Sequence, residues 1–234
     1  MKYLLPLFLA SSLFGASKLH HLYNAWMFES NTYGINCQPF DIASPQFTTG
    51  LFGSALDCDG TLNSAGPAIG TGTFSVHQDF TAMVWFNSRT DSNNLVLMDC
   101  RGASPNRGFT VYHVGDNAGG GTIWFRFFNG GVTSGTFSTN SAPTNQWNCV
   151  LFGYNAATQI PFVRLNDGQV DGSVFVPSAL PISNIAIGAR SIHTDPAVFN
   201  GAIDLPSLWK GKVLSAKEMG ELYNGGTGVD YPYP

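Results

Sequence analysis

Charge is what this sequence has least of. Only 11% of its 234 residues are Asp, Glu, Lys or Arg, and just three are glutamates, Glu29, Glu218 and Glu221. The 11 basic residues stand singly and the formal net charge is -4, so no stripe exists that could track a phosphate backbone. Nucleic acid is thereby set aside as a partner. Low charge would signal disorder only with a low apolar fraction, and that fraction is 44%.

Other absences narrow the chemistry. The four cysteines, Cys37, Cys58, Cys100 and Cys149, form no CxxC pair, which removes the usual structural zinc site. They leave two readings open: two disulfides, in any of three pairings, or four buried thiols. No G-x-S-x-G elbow occurs, and Cys100 beside Arg101 has no identifiable base. His20 and His21 are adjacent, so on a strand they would face opposite ways, while His77, His113 and His193 are isolated. No apolar run reaches the span of about 18 residues that would cross a bilayer. The nearest, YLLPLFLASSLFGA after Lys2, contains Pro6 and ends in the small residues Gly15, Ala16 and Ser17. Residues 1–18 are therefore read either as an apolar arm kept on the protein and packed against the domain or a neighbour, or as a cleaved secretory signal peptide. Residues 19–234 are read as one domain. There is no tandem repeat, and no helical period before the final stretch.

What is present is sheet and turn chemistry: 27 glycines, 13 prolines and 18 phenylalanines, with Thr, Ser and Asn between short apolar runs. Strands are predicted at 22–28, 52–58, 74–77, 80–86, 95–98, 108–114, 122–128, 147–154, 162–165 and 185–189. Phe80, Ala82, Val84 and Phe86 define one face of their strand and Thr81, Met83 and Trp85 the other. Both are largely apolar, which predicts a central strand. Turn residues cluster between the runs, as at Asp116 to Gly121 and Asn166 to Gly168. Ser134 to Gln146 is polar and reads as a surface loop or edge. A last strand through Ile203 and Leu205 precedes a short helix with Met219 and Leu222 as its apolar members. Ser215 and Glu218 offer a capping box, and Asn224, Gly225 and Gly226 a stop. Such a pattern implies two packed antiparallel sheets.

Four stretches carry a family resemblance: LYNAWMFES near the start; ALDCDG at 55–60; FTAMVWF at 80–86; and, in order, WNCVLFGY, FVRLNDGQ, IAIGAR and FNGAIDLPSLWKGKVLSAKEMGELYNGG. Trp147, Asp167 with Gly168, Ile187 with Gly188, and Gly201, Ile203 and Asp204 follow the family's sequence of signals. Over roughly residues 22–226 the chain resembles the laminin G-like, concanavalin A-like lectin and glucanase superfamily, particularly its bacterial and viral jelly-roll modules. The resemblance implies an all-β, two-sheet antiparallel jelly-roll sandwich with a short C-terminal helix. One departure is the insertion of Leu205, Pro206 and Ser207 before Leu208 and Trp209, where Pro206 predicts that the last strand ends or bulges.

Hydrolysis on this fold needs paired carboxylates about 5–5.5 Å or 6.5–9.5 Å apart. No strand interior offers an i, i+2 pair. Asp57 and Asp59 come nearest and read as strand-end and turn residues, so the protein is expected not to be an enzyme. No cofactor is expected beyond a Ca2+ ion that the resemblance permits at Asp59 and Asp204. Ligand contacts are expected from Tyr112, Asp116, Asn117, Trp124, Arg190 and His193, where flat rings can stack on sugar faces and amides can hold hydroxyls. Trp85 and Trp147 are expected in the core and Trp209 as a clasp on the terminal segment. The functional expectation is a noncatalytic adhesion, decoration or assembly module on a virion surface, binding a glycan or a partner protein, with the arm touching a neighbouring subunit of a homo-oligomer. A secreted carbohydrate-binding module is the alternative, and a diverged glycoside hydrolase a more distant one.

Overall fold

The computed structural model describes residues 22–25, 28, 45–61, 66–68, 75–91, 94–102, 107–179, 185–190 and 197–233. Residues 1–18, Cys37 and His193 lie outside these. Among the described residues the chain forms β1 (Leu22–Ala25), β2 (Gln46–Thr49), β3 (Ser54–Asp59), β4 (Gly66–Ala68), β5 (Phe80–Ser88), β6 (Asn94–Gly102) and β7 (Arg107–Gly115). Then follow β8 (Gly121–Asn129), β9 (Val132–Phe137), β10 (Asn148–Asn155), β11 (Ile160–Leu165), β12 (Gly168–Asp171), β13 (Ile185–Ile187), β14 (Asn200–Lys210) and the helix α1 (Ala216–Tyr223).

The strands make two antiparallel sheets. The larger runs β12-β11-β10-β5-β14-β3-β2, with β1 also pairing β14, and the smaller runs β4-β13-β6-β7-β8-β9. Between them lies a core rich in phenylalanine: Phe80, Phe86, Phe109, Phe125, Phe127 and Phe152 are among its fully buried members. Many of these rings meet edge-on or tilted, as Phe109 and Phe152 do at 5.4 Å. The fold is thus the two-sheet jelly-roll sandwich with a C-terminal helix expected from the sequence.

β5 occupies the middle of the larger sheet, and both its faces are covered. Phe80, Ala82, Val84 and Phe86 enter the inter-sheet core, whereas Met83 and Trp85 enter a second cluster on the outer face with Leu151, Trp209, Leu214, Met219, Leu222 and Tyr233. The chain after β14 forms that cover. α1 is too short to hold alone and persists through packing and capping. Ser215 Oγ accepts the Glu218 amide while Glu218 accepts the Ser215 amide at 2.8 Å, and Asn224 closes the helix in the left-handed region at φ 47. Its buried Met219 and Leu222 pack onto the sheet, each worth about 1.5–3 kcal/mol. Trp209 does act as the clasp: its ring lies 5.7 Å from that of Tyr233, whose hydroxyl meets Ser207 Oγ at 2.7 Å.

Pro206 bulges β14 without ending it. Asp204 pairs with Trp85 and Ser207 with Met83, so Leu205 and Pro206 together oppose Val84, and Leu205 takes φ 47. One predicted strand is corrected: Val76 and His77 lie in a turn closed by Gln78 N donating to Ser75 O at 3.2 Å.

Cys58, Cys100 and Cys149 are buried free thiols, so the two-disulfide reading does not hold. Burial pushes all three thiols well above their ordinary pKa, which leaves them inert hydrophobes.

Candidate binding face on the six-stranded sheet

Alternation along β7 and β8 decides the site. Phe109, Val111, Ile123, Phe125 and Phe127 point into the core, so Thr110, Tyr112, Trp124, Arg126 and Phe128 point outward. Register then aligns them: Tyr112 sits opposite Trp124 and Trp124 opposite Phe137, while Asp99, Thr110, Arg126 and Gly135 form the next row. On this face Asp99, Thr110, Tyr112 and Phe128 are buried and Phe137 is exposed.

The first row is a continuous ladder. Arg190 Nη2 donates to Tyr112 Oη at 3.0 Å with its guanidinium 5.5 Å from the ring centre. Tyr112 lies 5.7 Å from Trp124, and Trp124 stacks on Phe137 at 5.1 Å with the planes 7° apart. Each such contact contributes about 0.5–1.5 kcal/mol, enough to hold the rings in place. The ladder begins buried at Tyr112 and ends in the open at Phe137, which is 49% exposed. Gly135 makes room for it, since a Cβ there would collide with Trp124 Nε1.

The second row and the one beyond it place arginines on the same face. Arg126 lies over Trp124 and Phe128 at 4.8 and 4.9 Å, and Arg101 over Phe128 at 5.0 Å. Buried Asp99 accepts from Arg101 Nε at 2.8 Å and from Thr110 Oγ1. The basic residues that stand singly in the sequence are therefore gathered locally by cross-strand pairing.

Of the six residues expected at a ligand site, the structure brings together Tyr112, Trp124 and Arg190. Asp116 and Asn117 lie beyond them in the β7–β8 loop. Asp116 Oδ1 accepts from Ala118 N at 2.8 Å and Gly120 N at 3.1 Å, an Asx-type brace, and exposed Asn117 takes φ 57. His193 is outside the described residues. Phe137, Arg126, Phe128 and Arg101 were not anticipated. The spacing of β8 could have indicated Arg126 and Phe128 as partners of Trp124 on one face, but Phe137 needs the β8–β9 register.

Asp59 and Asp204 are not brought together: Asn200, four residues before Asp204, is the residue paired with Asp59. Asp59 Oδ1 accepts from Thr61 N at 2.8 Å and Thr61 Oγ1 at 2.7 Å. Fully buried Asp204 takes Leu51 N at 2.9 Å and Phe52 N at 3.2 Å on Oδ2 and Leu205 N at 2.8 Å on Oδ1, clasping the 50–53 loop to the β14 bulge. Among the described residues no group of three His, Cys, Asp or Glu side chains is placed to hold a metal ion. Asp57, for its part, is ion-paired with Arg89. That pair adjoins a cleft of about 230 Å³ lined by Thr48, Thr49, Asn87, Arg89 and Asn145, which offers polar atoms but no ring to stack on.

A family model described as the concanavalin A-like lectin/glucanases superfamily matches residues 60–219, more than half of the chain. The chain belongs to that superfamily. Solved structures share its fold. Domain 4 of AbnA, a GH43 extracellular arabinanase from Geobacillus stearothermophilus, in complex with arabinotriose, superposes with a TM-score of 0.65 at 15% identity, covering 86% of this chain and 97% of that one. The binding domain of Paraclostridial Mosquitocidal Protein 1 gives 0.65 at 14% identity, covering 88% of this chain and 52% of the other. A heptameric SAP-like pentraxin from Limulus polyphemus gives 0.56 at 14% identity over 71% of this chain and 79% of its own. No curated protein sequence matches the chain. Within this concanavalin A-like fold the residues that carried the resemblance serve architecture: half-buried Trp147 leads into β10 against the outer cluster, Asn166 and Asp167 turn β11 into β12, and Asp204 fastens the bulge.

Proposed function

We propose that this protein is a noncatalytic carbohydrate-binding module whose ligand lies on the outer face of the six-stranded sheet. The observation that carries this reading is the Arg190–Tyr112–Trp124–Phe137 ladder, buried at one end and offering a rigid exposed ring at the other. An aromatic ring held by its neighbours can take the apolar face of a sugar at little cost in side-chain entropy. Asp116 and Asn117, at the rim, supply polar groups toward hydroxyls. The arabinanase domain of the same fold is described in complex with arabinotriose, and such a ligand class suits this face. No membrane-crossing helix occurs among the described residues, and the placement we favour is extracellular.

A glycan panel followed by titration calorimetry tests the reading. Phe137→Ala and Gly135→Val, the latter displacing the Trp124 indole, are each expected to weaken binding at least about tenfold with the fold retained, the scale of one lost stacking contact. Unchanged affinity in both variants would overturn the assignment.

One observation favours a second reading as an adhesion or assembly module, as on a virion surface. Val132, Val174 and Val176 are 62%, 65% and 56% exposed and, with Phe137, give apolar side chains to a protein partner. A blank glycan panel together with concentration-dependent sedimentation would favour it.

A further inference from the structure

The ligand face is not neutral, and its charge has a specific location. Arg126 projects from the middle of β8 between Trp124 and Phe128, with its guanidinium centre 4.8 and 4.9 Å from their rings. A guanidinium carries five N–H donors, yet here Nε has no acceptor and Nη2 reaches only Thr133 Oγ1, at 3.5 Å. Among the described residues no carboxylate pairs with it, and Asp99 on this face is fully buried and engaged by Arg101 and Thr110. A cation fixed between aromatic rings, half-buried and with donors to spare, is arranged for an oxyanion that accepts several hydrogen bonds.

Resting on the carbohydrate-binding reading above, we propose that the ligand is an acidic polysaccharide whose sugar rings lie along the Trp124–Phe137 end of the ladder and whose carboxylate or sulfate is taken by Arg126. Arg101 is ion-paired with Asp99 and Arg190 is hydrogen-bonded to Tyr112, so the anion is assigned to Arg126. The shared requirement is an anionic group on a sugar ring. A nucleic-acid strand is the less fitting occupant, because the net charge of the chain is -4 and the row of Arg126 holds no second cation along the strand to follow a repeating phosphate.

The full chain is titrated with polygalacturonate, dextran sulfate, neutral dextran and single-stranded oligothymidylate. The expected result is binding of one or both acidic polysaccharides at least about tenfold tighter than dextran or the oligonucleotide, the preference shrinking as salt rises. Polygalacturonate above dextran sulfate identifies a carboxylate as the anion, and the reverse order a sulfate. Arg126→Gln should abolish the preference for acid and Arg126→Lys should keep part of it, while Lys217→Gln, on exposed α1, changes nothing. Equal binding of dextran, tighter binding of the oligonucleotide, or an Arg126→Gln variant with undiminished selectivity would overturn the proposal. If neutral glycans bind and Phe137→Ala removes that binding, the face is right and its charge preference wrong; if no saccharide binds, both fall.

Discussion

His113 shows how much a single buried polar residue constrains. It faces the core from β7 with its ring 5.8 Å from Phe86, donating from Nε2 to Ala142 O at 3.3 Å while Nδ1 has no partner. Burial lowers its pKa below the ordinary 6.5, outweighing the opposing pull of the Ala142 carbonyl and of Asp116 and Asp91. The unfolded chain therefore takes up a proton that the native state refuses, so this contribution to stability is complete above pH 6.5 and falls as pH drops toward the lower native value. Urea unfolding at about pH 7.5 and about pH 5.5 should show a smaller loss for His113→Gln than for the unmodified chain, and equal losses would refute the assignment. Nothing in the sequence marks His113 as buried and neutral except its place in an apolar run. Phe137 and Arg126 illustrate the converse. Each is an ordinary residue in sequence, and only its cross-strand neighbours make it part of the proposed site.

At the scale of elements, four strands escaped sequence reading: β2, β4, β9 and β12. They end the two main strand orders, while β1, which pairs with β14 beside that order, was legible. An edge strand buries less of itself and is short, so its apolar alternation is weak; β12 alternates between half-buried and exposed, and the central β5 is buried almost throughout. Since β9 is one of those edges, the exposed end of the ladder was lost with it. The helix was legible because its signals are local. Partial burial acts to raise the Glu218 pKa, but hydrogen bonds from Lys212 Nζ, at 2.6 Å, and from Ser215 bring it down to about 2. Its stabilising effect is thus full above pH 4.5 and is lost as pH falls toward about 2. Ser215→Ala should cost about 1 kcal/mol near neutral pH, and Glu218→Gln should flatten the acid limb of the stability profile between those limits. An acid limb unaltered in Glu218→Gln would argue against this cap.

For the whole molecule, the asymmetry of the sandwich matters most. The larger sheet is covered on its outer face by the chain after β14, and the outer face of the smaller sheet carries the aromatic ladder, buried at Tyr112 and exposed at Phe137. Tyr233 holds the end of that cover, fully buried against Trp209 and bonded to Ser207. Tyr233→Ala is expected to lower stability by about 3 kcal/mol and Tyr233→Phe by about 1 kcal/mol, read from denaturant midpoints. Glycan binding, measured on the folded fraction, should survive both because the two faces share no side chain. Loss of binding in a folded Tyr233→Phe protein would show that the site extends to the larger sheet.

The sequence by itself determined the class of fold, the central strands, the capped helix and the likeness to a lectin and glucanase superfamily. These depend on short-range patterns: alternation over a few residues, a capping box, a proline that forces a bulge. It also singled out Tyr112, Trp124 and Arg190 as expected ligand contacts. Only the tertiary structure decided that they share one face with Phe137 and Arg126, and that Asp59 and Asp204 lie apart. The reason is register: which side chains meet across a sheet depends on how strands distant in sequence pair, and no local pattern in the chain specifies that pairing.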